Sequence, residues 1–209
     1  MGDTIPTSDL VAMLRAAVEK IRANVDLLTQ LDTVTGDGDH GTAMMRSMEA
    51  VEKAIDEHAD AGAKEILAKA GWGVMSAAGG STGPLLGSLL MGMGSSLGGV
   101  EELDSPALSA VICGGIEQMH KHSKAQVGDK TMMDALLPAA EALKANEASV
   151  APGEMLKLAA AAAAEGAEKT KDMLAKLGRA RNLGDRVLGH ADPGATSMSL
   201  ILAGFAEAL

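Results

Sequence analysis

Aromatic residues are almost absent from this sequence. Trp72 and Phe205 are the only two among 209 residues, and tyrosine does not occur. Hydrophobic residues nevertheless make up 47% of the chain, so the core has to be built from alanine, leucine, valine, isoleucine and the 14 methionines. Alanine, leucine and methionine are good helix formers, whereas strands prefer β-branched and aromatic residues. The composition therefore favours an all-α protein.

Other scarcities exclude whole classes of protein. A single cysteine, Cys113, excludes an internal disulfide and fits a reducing compartment. A net charge of −10 argues against nucleic-acid and anionic-membrane partners. The most apolar run, residues 78–100, is interrupted by glycines and lacks the pattern of a membrane span. Because the N-terminus also lacks the basic segment of a signal peptide, we expect one cytoplasmic domain over residues 1–209.

Apolar residues recur every three or four positions along most of the chain, as on one face of a helix. The predicted helices cover about residues 8–32, 42–57, 63–78, 85–97, 105–122, 136–143, 153–177 and 193–208. No segment shows the alternation of a half-buried strand, and short turns join successive helices. The pattern predicts an eight-helix up-and-down antiparallel bundle or barrel.

Residues 31–42 combine three carboxylates with three glycines and then enter a helix. Asp37 and Asp39 can point to the same side of an extended segment, and the glycines allow the backbone to fold them towards Asp32. Carboxylates this close repel one another unless a cation neutralises them, and oxygen ligands select Mg²⁺, Mn²⁺ or Ca²⁺. An EF-hand is excluded because Met48 stands where its bidentate glutamate is required. The following helix N-terminus favours an anion, so the segment indicates a metal–phosphate site, with a solvated turn as the alternative.

Two further glycine-rich loops also open helices. They are Gly-Gly-Ser-Thr-Gly-Pro at 79–84 and Val-Gly-Asp-Lys-Thr-Met at 127–132. Their N–H groups and hydroxyls suit phosphate oxygens, and tight turns between helices are the alternative. For Lys130 the sequence leaves open contact with a phosphate or pairing with Asp129 or Asp134.

Residues 178–192 form the longest stretch without helical periodicity. Long loops of this kind are usually functional or disordered. This one concentrates Arg179, Arg181 and Arg186 in an otherwise acidic chain, and arginine is suited to bidentate phosphate contact.

The ordered set of four loops resembles the nucleotide-binding L subunit of bacterial dihydroxyacetone kinase. The loops are Gly-Asp-Gly-Asp-His-Gly at 36–41, Gly-Gly-Ser-Thr-Gly-Pro at 79–84, Gly-Asp-Lys-Thr-Met at 128–132 and His-Ala-Asp-Pro-Gly-Ala-Thr-Ser at 190–197. The resemblance covers nearly the whole chain. It implies an eight-helix antiparallel barrel with a nucleotide, ADP or ATP, on its rim.

The resemblance also implies the site residues. Asp32, Asp37 and Asp39 would hold two Mg²⁺ ions that bridge the phosphates. The nucleotide would be bound by His40, Gly41, Thr42, Ala43, Ser81, Thr82, Gly128, Met132, Arg179, Asp192, Pro193 and Gly194, with Met132 and Gly128 flanking the base and ribose. Arg179 would belong to a lid-like last loop and take part in catalysis. One departure concerns residues 122–125, His-Ser-Lys-Ala, where small residues are expected beside the base.

Family membership would further imply a division of labour between proteins. A separate K subunit would hold dihydroxyacetone, and this chain would bring the phosphoryl donor to it. In the phosphotransferase-dependent branch, ADP stays bound and is recharged by a multiphosphoryl protein, the M subunit; a chain of this length favours that branch. The alternatives are an ATP-exchanging kinase of another short ketose, such as erythrulose, and a nucleotide-dependent regulatory module. The oligomeric state, including a homodimer, is left open.

Overall fold

A computed structural model describes residues 3–77 and 80–209. Ala78 and Gly79, to which the predicted third helix and second loop extend, lie outside the described residues. The α-helices are α1 (Asp9–Ala23), α2 (Val25–Thr35), α3 (His40–Glu57), α4 (Ala63–Ala77), α5 (Thr82–Ser96), α6 (Ser105–His120), α7 (Met133–Asn146), α8 (Pro152–Lys169) and α9 (Pro193–Glu207). Three short 3-10 helices follow α8, at Thr170–Asp172, Ala180–Asn182 and Gly184–Val187.

The described residues thus contain nine α-helices rather than the eight predicted, because the first predicted helix is broken at Asn24. This residue leaves helical geometry with φ −121° and ψ 16°. Its side-chain amide donates to the Lys20 carbonyl at 2.8 Å, and its backbone N–H donates to the Ile21 carbonyl. Asparagine is poor in helix interiors because its side chain competes for backbone groups in this way. Because of this break, α2 is a separate helix, which ends at Thr35 just before the loop that carries Asp37 and Asp39.

A second difference lies at the end of α8. The prediction carried this helix to residue 177, but it ends at Lys169 and Met173 is already extended, with φ −103° and ψ 145°. The Lys171 carbonyl accepts from Gly189 N–H at 2.8 Å instead of continuing the helical ladder. Contacts with a distant part of the chain therefore override the local helical propensity.

Two very short strands were also not predicted. β1 (Ile5–Pro6) pairs antiparallel with β2 (Glu102–Leu103), with Ile5 opposite Leu103. Two residues are too few to show an alternating pattern.

The helices close into a ring. From α2 onwards each helix packs on its successor, α1 packs on α3, and α9 returns to pack on α1. The N-termini of α3, α5, α7 and α9 line one cavity, so alternate helices point the same way. The predicted up-and-down antiparallel arrangement is confirmed as a closed barrel. No helix in the described part of the chain is long and apolar enough to cross a bilayer.

Small residues let neighbouring helices approach closely. A Cβ built on Gly71 of α4 would lie 2.8 Å from the Gly87 carbonyl of α5, and one built on Gly92 of α5 would lie 2.7 Å from the Gly114 carbonyl of α6. The core around them is aliphatic and rich in methionine, with Phe205 completely covered. Close backbone packing thus takes the place of large aromatic side chains.

Gly166→Ala should destabilise the barrel, because a Cβ there would lie 1.9 Å from the Asp134 carbonyl oxygen, a backbone atom of α7. We expect a loss of about 2–3 kcal/mol in the free energy of unfolding, and a fall of about 5–10 °C in thermal midpoint. Gly153→Ala in the same helix is the matched control, because its nearest neighbour is 3.7 Å away. Equal midpoints for the two variants would contradict the close contact.

Candidate functional site

Four loops meet at one rim of the barrel, each leading into a helix N-terminus. They surround a cavity of ≈ 260 Å³, the first cavity. Its lining includes Asp32, Thr35, Gly36, Asp37, Asp39, His40, Gly80, Ser81, Thr82, Lys130, Thr131, Met132, Leu177, Gly178, Arg179, Ala180, Asp192, Pro193 and Gly194. Unpaired N–H groups and the positive dipole end make each helix N-terminus attractive to anions. Four of them around one cavity indicate an anion-binding site.

Three carboxylates form a cluster at this rim. One oxygen from each of Asp32, Asp37 and Asp39 can be chosen so that all three lie within 4.8 Å of one another. Asp32 is buried, while Asp37 and Asp39 are exposed. Among the described residues this is the only group of three or more acids, histidines or cysteines with such spacing. The carboxylate cluster therefore has an all-oxygen donor set suited to a hard divalent cation.

Local hydrogen bonds hold Asp32 in place. Its Oδ2 accepts from the backbone N–H groups of Asp39 at 2.9 Å and His40 at 3.1 Å. Gly36 packs so closely that a Cβ there would collide with Asp32 Oδ1, and Gly38 has a left-handed φ of 77°. These two positions require glycine. The loop is thus folded around the Asp32 carboxylate.

His40 joins two of the helix N-termini. Its Nε2 lies 3.0 Å from Ser197 Oγ on α9, and the ring is buried. Burial lowers the pKa of His40, although the nearby Asp32 and Asp39 oppose the shift. We expect a neutral imidazole here at neutral pH.

Asp134 organises the third loop, residues 126–132. Its carboxylate accepts from the N–H groups of Gly128 at 2.6 Å and Thr131 at 2.7 Å. This fixes Thr131 and Met132 in the wall of the first cavity. Gly128 has φ 94°, which explains the glycine at that position.

Lys130 pairs with neither of the two aspartates that the sequence left open. It lines the cavity with only 1% of its surface exposed, and its ammonium donates to the carbonyl oxygens of Thr170 and His190. Asp129 pairs instead with Lys176 at 3.0 Å. Burial lowers the pKa of Lys130, and Asp192, Asp134 and Asp172 oppose the shift.

Residues 170–192, which we call the lid, connect α8 to α9 across the rim. The lid places Leu177 to Ala180 in the cavity wall. Arg179 forms an ion pair with Asp37 of the carboxylate cluster. Arg181 and Arg186 are exposed and form no ion pair with the described residues. Of the three lid arginines, Arg179 is therefore the one that reaches the site.

Asp192 ends the lid and caps α9. Its carboxylate accepts from Ala195 N–H at 2.7 Å. Burial raises the pKa of Asp192 to about 7, although the N–H groups of Ala195 and Gly194 and the Lys130 ammonium oppose the shift.

This raised pKa predicts a pH-dependent stability. The usual pKa is 3.8, so the folded protein binds the proton more tightly than the unfolded chain between about pH 4 and 7. Stability should fall as pH rises through that range and level off above it. Asp192→Asn keeps a capping oxygen. Relative to the unsubstituted protein, its thermal midpoint should rise by about 6–12 °C between pH 4.5 and pH 8, which corresponds to about 3 kcal/mol. The same difference at both pH values would contradict the shift.

A model of the DAK2 domain family matches residues 34–207. The chain belongs to the DAK2 domain family. It is 37% identical over 189 residues to the ADP-binding subunit DhaL of PEP-dependent dihydroxyacetone kinase 2 of Listeria innocua, covering 90% of this chain and 86% of that protein. It is 34% identical to the corresponding Escherichia coli subunit, covering 85% of each chain.

Longer relatives match over part of their length. The L-erythrulose 1-kinase of Mycolicibacterium smegmatis is 37% identical, covering 96% of this chain and 35% of that protein. The native dihydroxyacetone kinase structure of C. freundii superposes with a TM-score of 0.74 at 26% identity, covering 96% of this chain and 34% of that one. The DAK2 domain thus spans about a third of the solved kinase chain that it matches.

The DAK2 domain brings most of the predicted site residues together. Those that line the first cavity are Asp32, Asp37, Asp39, His40, Ser81, Thr82, Met132, Arg179, Asp192, Pro193 and Gly194. Gly41 and Ala43 are buried; a Cβ on Gly41 would lie 2.3 Å from the Val25 carbonyl. Thr42 is exposed and donates its hydroxyl to the Asp39 carbonyl at 2.8 Å. These three and Gly128 are not part of the cavity lining described above, and their contacts with a nucleotide stay a prediction.

A second, larger cavity of ≈ 610 Å³ adjoins the first in the DAK2 domain. The two share Gly80, Ser81, Thr131, Met132, Leu177 and Gly178. Met75, Pro84 and Leu85 add apolar surface, and residues 122–125 complete the lining. The segment noted as a departure from the family pattern therefore lies on the wall of this cavity.

Sequence reasoning missed several lining residues. Thr35 and Gly36 flank the carboxylate cluster, and Leu177 and Ala180 lie beside Arg179. Leu177 was not predicted to line the site because it fell at the end of the helix predicted over 153–177. For Thr131, the available signal was its position between Lys130 and Met132 in a loop that was already singled out.

Proposed function

We propose that this domain is the nucleotide-binding subunit of a dihydroxyacetone kinase. It would bind Mg-ADP or Mg-ATP and, in the ATP state, pass the γ-phosphoryl group to dihydroxyacetone held on a separate K subunit, which leaves ADP. The observation that carries the proposal is the convergence of the carboxylate cluster with four helix N-termini on one cavity. The relatives named as ADP-binding subunits of PEP-dependent dihydroxyacetone kinases support it, since they match most of this chain and most of their own length.

The carboxylate cluster fits magnesium. Its three residues supply oxygen alone, and Mg²⁺ is usually held by a few carboxylates together with substrate phosphates. We propose that Asp32, Asp37 and Asp39 hold two ions. Bound there, the metal would neutralise phosphate charge during transfer.

The remaining groups on the rim are suited to bind a nucleotide. In this proposal, phosphate oxygens accept hydrogen bonds from the hydroxyls of Ser81 and Thr82. They also accept from the N–H groups in the first turns of α3 and α9. The second cavity, with Met132 and Leu85 on its walls, would take the base. Arg179 would contact the transferred phosphoryl group, because arginine stabilises the spread charge of that transition state.

The substrate hydroxyl and its proton acceptor are assigned to the K subunit. We further propose that the bound ADP is recharged by a phosphoprotein of the phosphotransferase system, as the names of the PEP-dependent relatives suggest. The transfer is then an in-line displacement: the hydroxyl oxygen bonds to the terminal phosphorus as the bond to the ADP oxygen breaks.

An ATP-exchanging kinase of another short ketose is the second candidate. It is favoured by the erythrulose kinases among the relatives. Assays with dihydroxyacetone and both erythrulose enantiomers, in the presence of the K-type protein, would separate the two.

The direct test is to denature freshly purified protein and identify any released nucleotide by chromatography and mass. Near-stoichiometric ADP that survives dialysis would support the bound-cofactor function. Empty protein that binds Mg-ATP reversibly would favour the exchanging kinase. Protein that binds no nucleotide even with Mg²⁺ would overturn the proposal.

A further inference from the structure

Lys130 is unusual in both its backbone and its side chain. It is the only non-glycine residue with a left-handed φ, 59°, among the described residues. It is also a completely buried lysine. Both features are uncommon and persist only where the surrounding structure requires them.

The contacts of its ammonium account for the burial of the charge. Nζ donates to the Thr170 carbonyl, where α8 passes into the lid, and to the His190 carbonyl at 2.6 Å, just before the lid passes into α9. One side chain from a third segment therefore binds both ends of the lid. A buried ammonium needs such acceptors, because an unsatisfied charge is costly away from water.

Backbone hydrogen bonds close the same two ends on each other. Gly189 N–H donates to the Lys171 carbonyl, and Asp192 N–H donates to Thr170 Oγ1, each at 2.8 Å. We call residues 170–171 and 189–192 the neck of the lid. Arg179 lies within the segment that the neck closes, so the neck helps to fix its position at the cavity wall.

The same loop also holds the lid nearer to Arg179. Lys176 N–H donates to the Asp129 carbonyl at 3.2 Å, and its ammonium pairs with the Asp129 carboxylate. Thr131 and Met132, which follow Lys130 directly, line both cavities. The third loop therefore contacts the lid on one side and the ligand cavities on the other.

We propose that Lys130 is a positioning residue that clamps both ends of the lid to the third loop and so determines where Arg179 lies over the carboxylate cluster. For the transfer reaction this rests on the proposed function. The clamp itself consists of contacts within this chain and can be tested without any nucleotide.

Trypsin provides a direct measurement, since Lys176, Arg179, Arg181 and Arg186 are exposed cleavage sites within the lid. Lys130→Met keeps the aliphatic stem and removes the ammonium. Lys130→Gly removes the whole side chain. Glycine adopts a left-handed φ without strain, so this variant is expected to fold even if Lys130→Met does not. Lys144→Met, on the exposed side of α7, is the control for loss of a lysine.

Both Lys130 variants should be cleaved in the lid at least about tenfold faster than the unsubstituted protein, because local opening exposes the chain to protease. The helical circular dichroism and the Lys144→Met cleavage rate should be unchanged. A lid cleavage rate within about twofold of the unsubstituted protein, in either Lys130 variant that keeps its helicity, would overturn the clamp.

Hydrogen exchange in the unsubstituted protein tests the clamp without any variant. The amides of Gly189 and Asp192 in the neck should exchange about 100-fold more slowly than those of residues 180–185. Equally fast exchange in both places would overturn the proposal. Neither experiment depends on nucleotide, so failure here would leave the proposed function standing, and a domain that bound no nucleotide could still show the clamp.

Discussion

Asp39→Asn is expected to weaken magnesium-dependent ADP binding by about 100-fold or more, because loss of a metal ligand costs more than the loss of a supporting contact. Asp39 is the member of the carboxylate cluster whose substitution should disturb the fold least. Its backbone N–H bonds to Asp32 and its carbonyl accepts from Ala43 N–H, but its carboxylate has no hydrogen-bond partner among the described residues. The substitution should therefore leave the fold intact.

Asp26→Asn is the matched control, since it removes an exposed carboxylate from the first turn of α2 without touching the cluster. Titration calorimetry with ADP, at fixed Mg²⁺ and again with a chelator, measures the effect. Unchanged binding by the Asp39 variant, with helicity preserved, would remove the cluster from the site.

Asp32 would give a less informative variant. Its Oδ2 accepts two backbone hydrogen bonds that fold the loop. Asp32→Asn would disturb the position of His40 as well as any bound metal, so a loss of nucleotide there could come from either cause.

The carboxylate cluster was predictable because its geometry is local. Asp32, Asp37 and Asp39 lie within eight residues, and the intervening glycines allow the turn that joins them. The antiparallel barrel was predictable for a related reason, since helical periodicity and short turns leave few other arrangements. Short-range chemistry determined both.

The features that were missed depend on contacts between distant parts of the chain. The sequence offered Asp129 and Asp134 as protein partners of Lys130, but its partners are carbonyls at positions 170 and 190. Residues 170–177 have helical propensity, yet the returning lid binds the Lys171 carbonyl and ends the helix. Neither outcome can be derived from residue types near the position concerned.

Arg179→Ala is expected to slow phosphoryl transfer by about 10³-fold while weakening ADP binding by less than about tenfold. An arginine that contacts the transferred group stabilises mainly the transition state, which accounts for the first number. It adds one charged contact among several to the bound nucleotide, which accounts for the second. Turnover with the K subunit, and equilibrium binding of ADP, measure the two effects separately. Arg181→Ala, two residues away and outside the cavity linings, should change neither.

The ion pair between Arg179 and Asp37 leads to a third expectation, for Mg²⁺ binding. Unlike turnover and ADP binding, the affinity for Mg²⁺ should not fall in the Arg179 variant. Their side chains are 62% and 49% exposed, so losing the pair should cost little stability. A guanidinium paired with Asp37, however, competes with a cation for that carboxylate. Arg179→Ala should therefore bind Mg²⁺ alone at least as tightly as the unsubstituted protein, even though it transfers phosphate slowly. A variant that lost metal affinity and turnover together would show that Arg179 supports the cluster rather than the reaction, and unaltered turnover with the K subunit would remove it from catalysis.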